Sequence, residues 1–310
     1  MMTTTTVAAR AARHLYGREL IPVRARWWLS ARGMLDWFRM LERGLTPHLG
    51  EGTRPVIARI AQQMFIARYE LLSESYPHLK QGGQTQAARL MAALYRVKPG
   101  ERGMWIFGDA LPSLALSDVL RGQLLLRRIP IQGRWEEVTV HLGELLILLT
   151  NELPRALPHA RKIVADICYE SGLHFAQKAK RAFGISDDSP NAPADAIEIL
   201  RMSEYIFRVN PEHWGHADAE ANTGWLEGTA CPWYSRPGWN GAHCGIFGQF
   251  QAGISAAFGL RYQLSQTIPK HGGHTCRIDL KPLVTLKKKS GTTSSVAESP
   301  TRHHRPQPTG

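Results

Sequence analysis

The sequence predicts an α+β fold: a helical N-terminal half packed with a C-terminal antiparallel sheet plus a buried helix. Three observations point there. Apolar residues recur at three- and four-residue spacing through residues 55–76, 135–150 and 156–183, the stripe of amphipathic helices. After the turn cluster Ser186-Asp-Asp-Ser-Pro-Asn-Ala-Pro, short β-branched and aromatic runs bounded by Pro and Gly replace that stripe. Within the second half, residues 241–258 form an apolar run rich in glycine and alanine, as in a helix packed closely on a sheet.

The elements follow in order. Residues 1–45 read as a basic, largely flexible segment, in which Trp27, Trp28, Trp37 and Phe38 mark a short aromatic stretch expected to pack on its own domain. A helix over 55–76 places Val56, Ile57, Ile60, Met64, Phe65 and Leu71 on one stripe, and 84–96 repeats the pattern more weakly. No element is assigned to 99–133, where Gly and Pro interrupt short apolar runs. The helix over 156–183 carries Ile163, Ile167, Phe175 and Ala179 on one face, with Gly184 as its stop. Strands are expected over 196–210 and 223–231, then over 260–268 and 275–280, the last two joined by a reversal at Pro269-Lys-His-Gly-Gly-His. Residues 285–310 lack an apolar pattern and read as a disordered basic tail. The domain proper is thus 46–284, helical over 46–185 and sheet-containing over 196–284.

Composition narrows the function. At 310 residues, 43% hydrophobic and 21% charged, the chain has the apolar content to bury a core. The formal charge of +12 sits mostly at the ends: seven arginines face Glu19 and Asp36 in residues 1–40, and Lys287, Lys288, Lys289, Arg302 and Arg305 face Glu298 in the tail. A nucleic-acid surface concentrates such charge on the folded body, so no nucleic-acid partner is expected. No stretch approaches the roughly 18 to 20 apolar residues of a membrane span. Residues 1–17 lack an apolar signal core, and four cysteines are too few for a disulfide framework, which together predict a cytoplasmic protein with thiols.

Those thiols are the most informative feature. Cys231 lies in Thr229-Ala-Cys-Pro-Trp-Tyr, Cys244 in Gly241-Ala-His-Cys-Gly, and Cys276 in Gly272-Gly-His-Thr-Cys-Arg, with His243 and His274 close to the second and third. A cysteine becomes a nucleophile when a cation, a histidine or a helix N-terminus favours its thiolate, and Cys244 would open the helix over 241–258. A buried structural thiol is the competing reading for each. A metal site competes too, but there is no C-x2-C or H-x3-H pair, so no metal or other cofactor is expected. His213 and His216 beside Asp218 form a second conceivable ligand set that equally suits an ordinary loop. The chain has no G-x-S-x-G, G-x-x-x-x-G-K-[ST] or H-E-x-x-H, which argues against α/β-hydrolases, P-loop ATPases and zincins.

The run Cys231-Pro-Trp-Tyr, then His243-Cys244, an apolar segment, Leu264-Ser-Gln-Thr-Ile-Pro and Gly272-Gly-His-Thr-Cys-Arg-Ile-Asp-Leu resembles the L-2-amino-thiazoline-4-carboxylic acid hydrolase family. The resemblance is specific over about 60 residues of the C-terminal third and elsewhere is one of order and length. It implies hydrolysis of a non-peptide C–N or C–S bond in a cyclic amidine, with water or a cysteine thiolate attacking the ring carbon between sulfur and nitrogen. On that reading Cys231 or Cys276 is the nucleophile, with Cys244 next, and His243 and His274 move protons. Arg277, or less favourably Arg236 or Arg261, would hold the substrate carboxylate, unless Asp279 is the partner of Arg277. Trp233 and Tyr234 would touch the substrate. The same outline also resembles the 4-vinyl-reductase-type domain, a non-catalytic sensor or carrier of small molecules. Such a binder would use Trp225, Trp233, Tyr234 and Trp239 as an apolar wall and needs no activated thiol.

Overall fold

A computed structural model describes residues 4–79, 82–207, 213–229, 231–267 and 275–283. The reversal expected at 269–274, His274 within it, and the tail 285–310 lie outside the described residues. The helical half comprises α1 (Thr4–Gly17), α2 (Val23–Leu49), α3 (Thr53–Ser75), α4 (Gln84–Leu94), α5 (Leu116–Leu126), α6 (Ile131–Glu152) and α7 (Ala160–Phe183). Then come α8 (Ala192–Phe207), β1 (His213–Asp218), β2 (Thr223–Gly228), α9 (Gly241–Ala256), β3 (Leu260–Gln266) and β4 (Cys276–Pro282). The fold is α+β, and among the described residues no helix is long and apolar enough to cross a membrane.

The basic N-terminal segment is not a loose extension. Trp27, Met34, Leu35, Phe38, Leu41 and Leu45 recur one or two turns apart along α2 and are buried at the centre of the helical core. The arginines that suggested flexibility occupy positions between them, so segment charge conceals a helical period. Arg13 on α1 forks onto Glu198 (2.8 and 2.9 Å) and Asp195 (2.6 Å), tying α1 to α8.

Residues 99–133 contribute a 3₁₀ segment, Met104–Ala110, and α5, burying Ile106, Phe107, Leu126 and Ile129.

The strand expected over 196–210 is instead the helix α8. Its Ile197, Ile199, Leu200, Met202 and Ile206 are all buried, because α8 lies between the helical layer and the sheet and is covered on several sides. A helix apolar all round loses the periodicity that separates it from a buried strand. Its start was still signalled, since Asn191 accepts a hydrogen bond from the Ala194 N–H through Oδ1 (3.2 Å), with Pro193 in the first turn.

The sheet runs β1-β2-β4-β3, every pair antiparallel. Leu226, Ile278, Leu280 and Leu260 point inward onto α8 and α9. What fixes α9 is a backbone-on-backbone crossing with α7. A Cβ at Gly172 would stand 1.9 Å from the Phe250 carbonyl oxygen, and one at Gly253 would stand 2.0 Å from that of Tyr169. Glycine is required at both places, which accounts for the small-residue run in an apolar helix.

Candidate functional site: a thiol-lined pocket between sheet and helices

The three clustered cysteines reach one place from three elements. Cys231 stands in the loop before α9, Cys244 in the first turns of α9, and Cys276 opens β4 opposite Gly228. All three line a single pocket of about 50 Å³, walled by Leu226, Trp233, Trp239, Phe247, Leu264 and Ile278. None of the four cysteines in the chain is in a disulfide, and the fourth, Cys168, is buried in α7.

The aromatic wall is held rigidly. Trp233 donates its indole N–H to the Thr139 carbonyl (3.1 Å), and its ring lies where a Cβ at Gly143 of α6 would come within 2.3 Å. Trp239 packs on it with ring centroids 5.1 Å apart, and Phe247 meets it edge-on at 5.0 Å.

Burial dominates the thiol chemistry. It pushes Cys231 up to about 12, against a smaller opposing effect from the Trp233 and Tyr234 backbone N–H groups, and it raises Cys244 as well, partly offset by Trp239. These two thiols are therefore neutral at neutral pH: weak donors on a soft, polarizable wall rather than activated nucleophiles. Of the two, Cys244 has the more favourable setting for a thiolate, reversing the order that the sequence suggests.

His243 is not placed as a proton shuttle. Its Nδ1 accepts the Asn240 backbone N–H (3.2 Å), which leaves Nε2 protonated and donating to Thr150 Oγ1 (2.9 Å) on α6. The ring is buried, stacks on Trp239 at 5.3 Å and does not line the pocket. It is half of the cap that starts α9, with Asn240 accepting from the Ala242 N–H. His274, the other expected proton carrier, lies outside the described residues.

Arg277 and Tyr234 also fall away from the pocket. Arg277 follows Cys276 in β4 and so faces the opposite side of the sheet. There its guanidinium lies 4.6 Å from the Trp225 ring centroid and pairs with Asp279 (3.1 Å) and Glu227 (3.5 Å). Asp279 is thus the partner of Arg277, and Trp225 belongs to the outer face. Tyr234 is exposed, Arg261 is exposed on β3, and Arg236 is 3.8 Å from Glu144 on α6. No Lys or Arg lines the pocket among the described residues. His213 and His216 lie three apart on β1, on opposite faces of the strand, and do not converge. Among the described residues no cluster of three His, Cys, Asp or Glu side chains has the arrangement of a metal site.

Three polar residues that the sequence reading did not single out complete the site. Tyr262 on β3 donates to Gln251 Oε1 (3.0 Å), and Gln251 Nε2 donates to Glu204 Oε1 on α8 (2.9 Å). Glu204 and Gln251 line the pocket, while burial raises the Tyr262 phenol and keeps it a donor. The available signal was a Glu and a Gln inside largely apolar helical runs, polar groups that need a partner when buried.

Comparisons of the chain with family models, with curated proteins and with solved structures return no match.

Proposed function

We propose that this chain binds a small, mostly apolar molecule in the thiol-lined pocket, as a sensor or carrier. One observation carries the reading: Cys231, Cys244 and Cys276 converge on an aromatic-walled cavity whose acidic and amide groups, Glu204 and Gln251, supply its polar contacts. The bound molecule presents a hydrogen-bonding group toward the polar part of the wall, where Glu204 and Gln251 sit. Neutral thiols at Cys231 and Cys244, a histidine committed to a helix cap and an absence of basic lining residues among those described suit retention of a ligand better than attack on a carboxylate substrate.

A second reading, ring-opening hydrolysis of a cyclic amidine as the family resemblance implies, is favoured by one feature. The Trp239 indole N–H, buried in the same pocket, acts on the Cys244 thiol and favours its thiolate against burial. Such a donor would stabilise negative charge developing on sulfur or on a tetrahedral centre.

Calorimetric titration with 2-aminothiazole, paired with a turnover assay on 2-amino-thiazoline-4-carboxylate, separates the two. Saturable binding that Glu204→Gln weakens, without ring opening, supports the binder. Catalytic ring opening that is lost in Cys244→Ser establishes the hydrolase, and neither binding nor turnover refutes both.

A further inference from the structure

A second cavity of about 140 Å³ adjoins the thiol pocket, between α2, α6, α7, α8 and α9. Among the described residues only Phe247 and Glu204 belong to both walls. The lining is chiefly apolar, and Trp37, Phe175, Phe207 and Phe250 add their rings to that of Phe247. An apolar cavity of about 150 Å³ holds one benzene molecule, so this chamber has room for a single aromatic ring. It opens to solvent at Asp36, His174 and Lys178, all of them exposed. That mouth is cationic. Asp36 is paired with Arg39 (2.7 Å) and lies 3.7 Å from Lys178, and both partners of the longer pair are half exposed, so it holds Lys178 only weakly. Burial lowers the His174 pKa, and Lys178, Arg43 and Arg181 lower it further, with Asp36 opposing.

The chamber also holds a donor in need of a partner. Trp37, only 9% exposed, follows Asp36 in α2 and lines the cavity, and its indole N–H is buried with no acceptor among the described residues. Buried donors are ordinarily paired, and here an acceptor would come from a bound molecule. We infer that the chamber is a second binding site, for an aromatic monocarboxylate with one ring. The ring lies among the phenylalanines, where aromatic contacts add to burial. The carboxylate lies toward the mouth, pairs with Lys178 and supplies the acceptor that the Trp37 indole N–H lacks. The site is separate from the thiol pocket and does not depend on what that pocket binds.

The test compares two probes by calorimetry on the full chain: 3-phenylpropanoate, and 3-phenylpropanamide, which keeps the ring and chain without the charge. The site predicts saturable binding of the acid, about tenfold tighter than of the amide. Lys178→Gln, at an exposed position, should bring that ratio toward one. Ser203→Leu narrows the chamber, and Ser203 Oγ bonds its own helix at Leu200 O (2.8 Å), so no partner across the chamber is stranded. It should weaken both probes about tenfold, and Met40→Trp, at the half-buried rim, does the same if the first variant folds poorly. In a ¹⁵N spectrum, the indole N–H signal that Trp37→Phe removes should shift when the acid is added. Absent binding of the acid, equal affinity for acid and amide, binding that neither chamber variant weakens, or a Trp37 signal that stays in place overturns the site. The thiol pocket is tested separately, by 2-aminothiazole, and stands or falls on that titration.

Discussion

Cys276 and Arg277 are adjacent in β4 and open onto opposite faces of the sheet, the thiol inward to the pocket and the guanidinium outward over Trp225. One residue of strand parity therefore separates the group that the sequence links to chemistry from the group that it links to carboxylate binding. The pocket is left with thiols, aromatic and aliphatic side chains, Glu204, Gln251 and Thr267, and the ligand chemistry follows from that set.

Arg277→Gln should leave the affinity for 2-aminothiazole within twofold of the unaltered protein, as titration calorimetry would show. Its ring contact and ion pairs are partly exposed, so stability should change by no more than about 1 kcal/mol. A tenfold loss of affinity would put the arginine at the site after all.

A buried chain of polar groups holds the helical half. Tyr95 Oη lies 2.7 Å from His141 Nδ1, His141 Nε2 lies 2.9 Å from Glu137, and Arg68 forks onto Glu137 at 2.7 and 2.8 Å. Glu137→Gln leaves the buried Arg68 guanidinium with only the more distant Glu144 (4.0 Å) as counter-charge and should cost about 3–5 kcal/mol in urea unfolding.

The same carboxylate predicts acid sensitivity. Burial opposes its ionisation, but the Arg68 and His141 hydrogen bonds outweigh burial and hold it down at about 2. The stability it contributes is whole above the ordinary carboxylate range near pH 4 and is lost as pH falls through about 2. Thermal melts of the unaltered protein should show that decline, and Glu137→Gln should flatten it.

For His243, burial chiefly and Arg161 secondarily lower the pKa. Its contribution to stability is complete above the ordinary histidine value near 6.5 and falls away as acid takes the pH through its lowered native value. Protonation also removes the Nδ1 acceptor that caps α9. A histidine NMR titration should find an Nε2–H tautomer that resists protonation, and His243→Ala should cost about 1 kcal/mol of stability.

Gly253→Ala sets a methyl against the α7 backbone, where neither partner can swing aside. Destabilisation should exceed the roughly 1–3 kcal/mol of ordinary overpacking. Because α9 carries Cys244, Phe247 and Gln251, ligand affinity should fall with it.

Much of this arrangement was legible in the sequence, for particular reasons. The stripe of α3 through Phe65, the glycine stop of α7 (Gly184, φ 67°) and the strands β2, β3 and β4 follow from local periodicity and turn chemistry, whereas Leu71, expected on that stripe, is exposed and Leu72 is buried in its place. The three cysteines that cluster in the last third of the sequence line one pocket. Two segments misled. In α2, arginines interspersed with a buried stripe looked like a charged tail, and in α8 burial on several sides erased the helical period. Glu204 went unnoticed with α8, because its significance depends on a long-range contact with Gln251 and on the cavities it divides. Histidine beside cysteine in sequence suggested a catalytic pair, whereas the first turn of α9 turns His243 to the Thr150 side and Cys244 to the pocket.

The central claim, that Cys231 and Cys244 are neutral parts of a binding wall, is tested most directly by alkylation kinetics across pH with peptide mapping of each cysteine. The account predicts slow reaction of Cys231 and Cys244 throughout pH 6–8, slowest at Cys231, and further protection of both by 2-aminothiazole. Rapid alkylation of either residue well below pH 8 would contradict it and turn the pocket back into a thiolate active site.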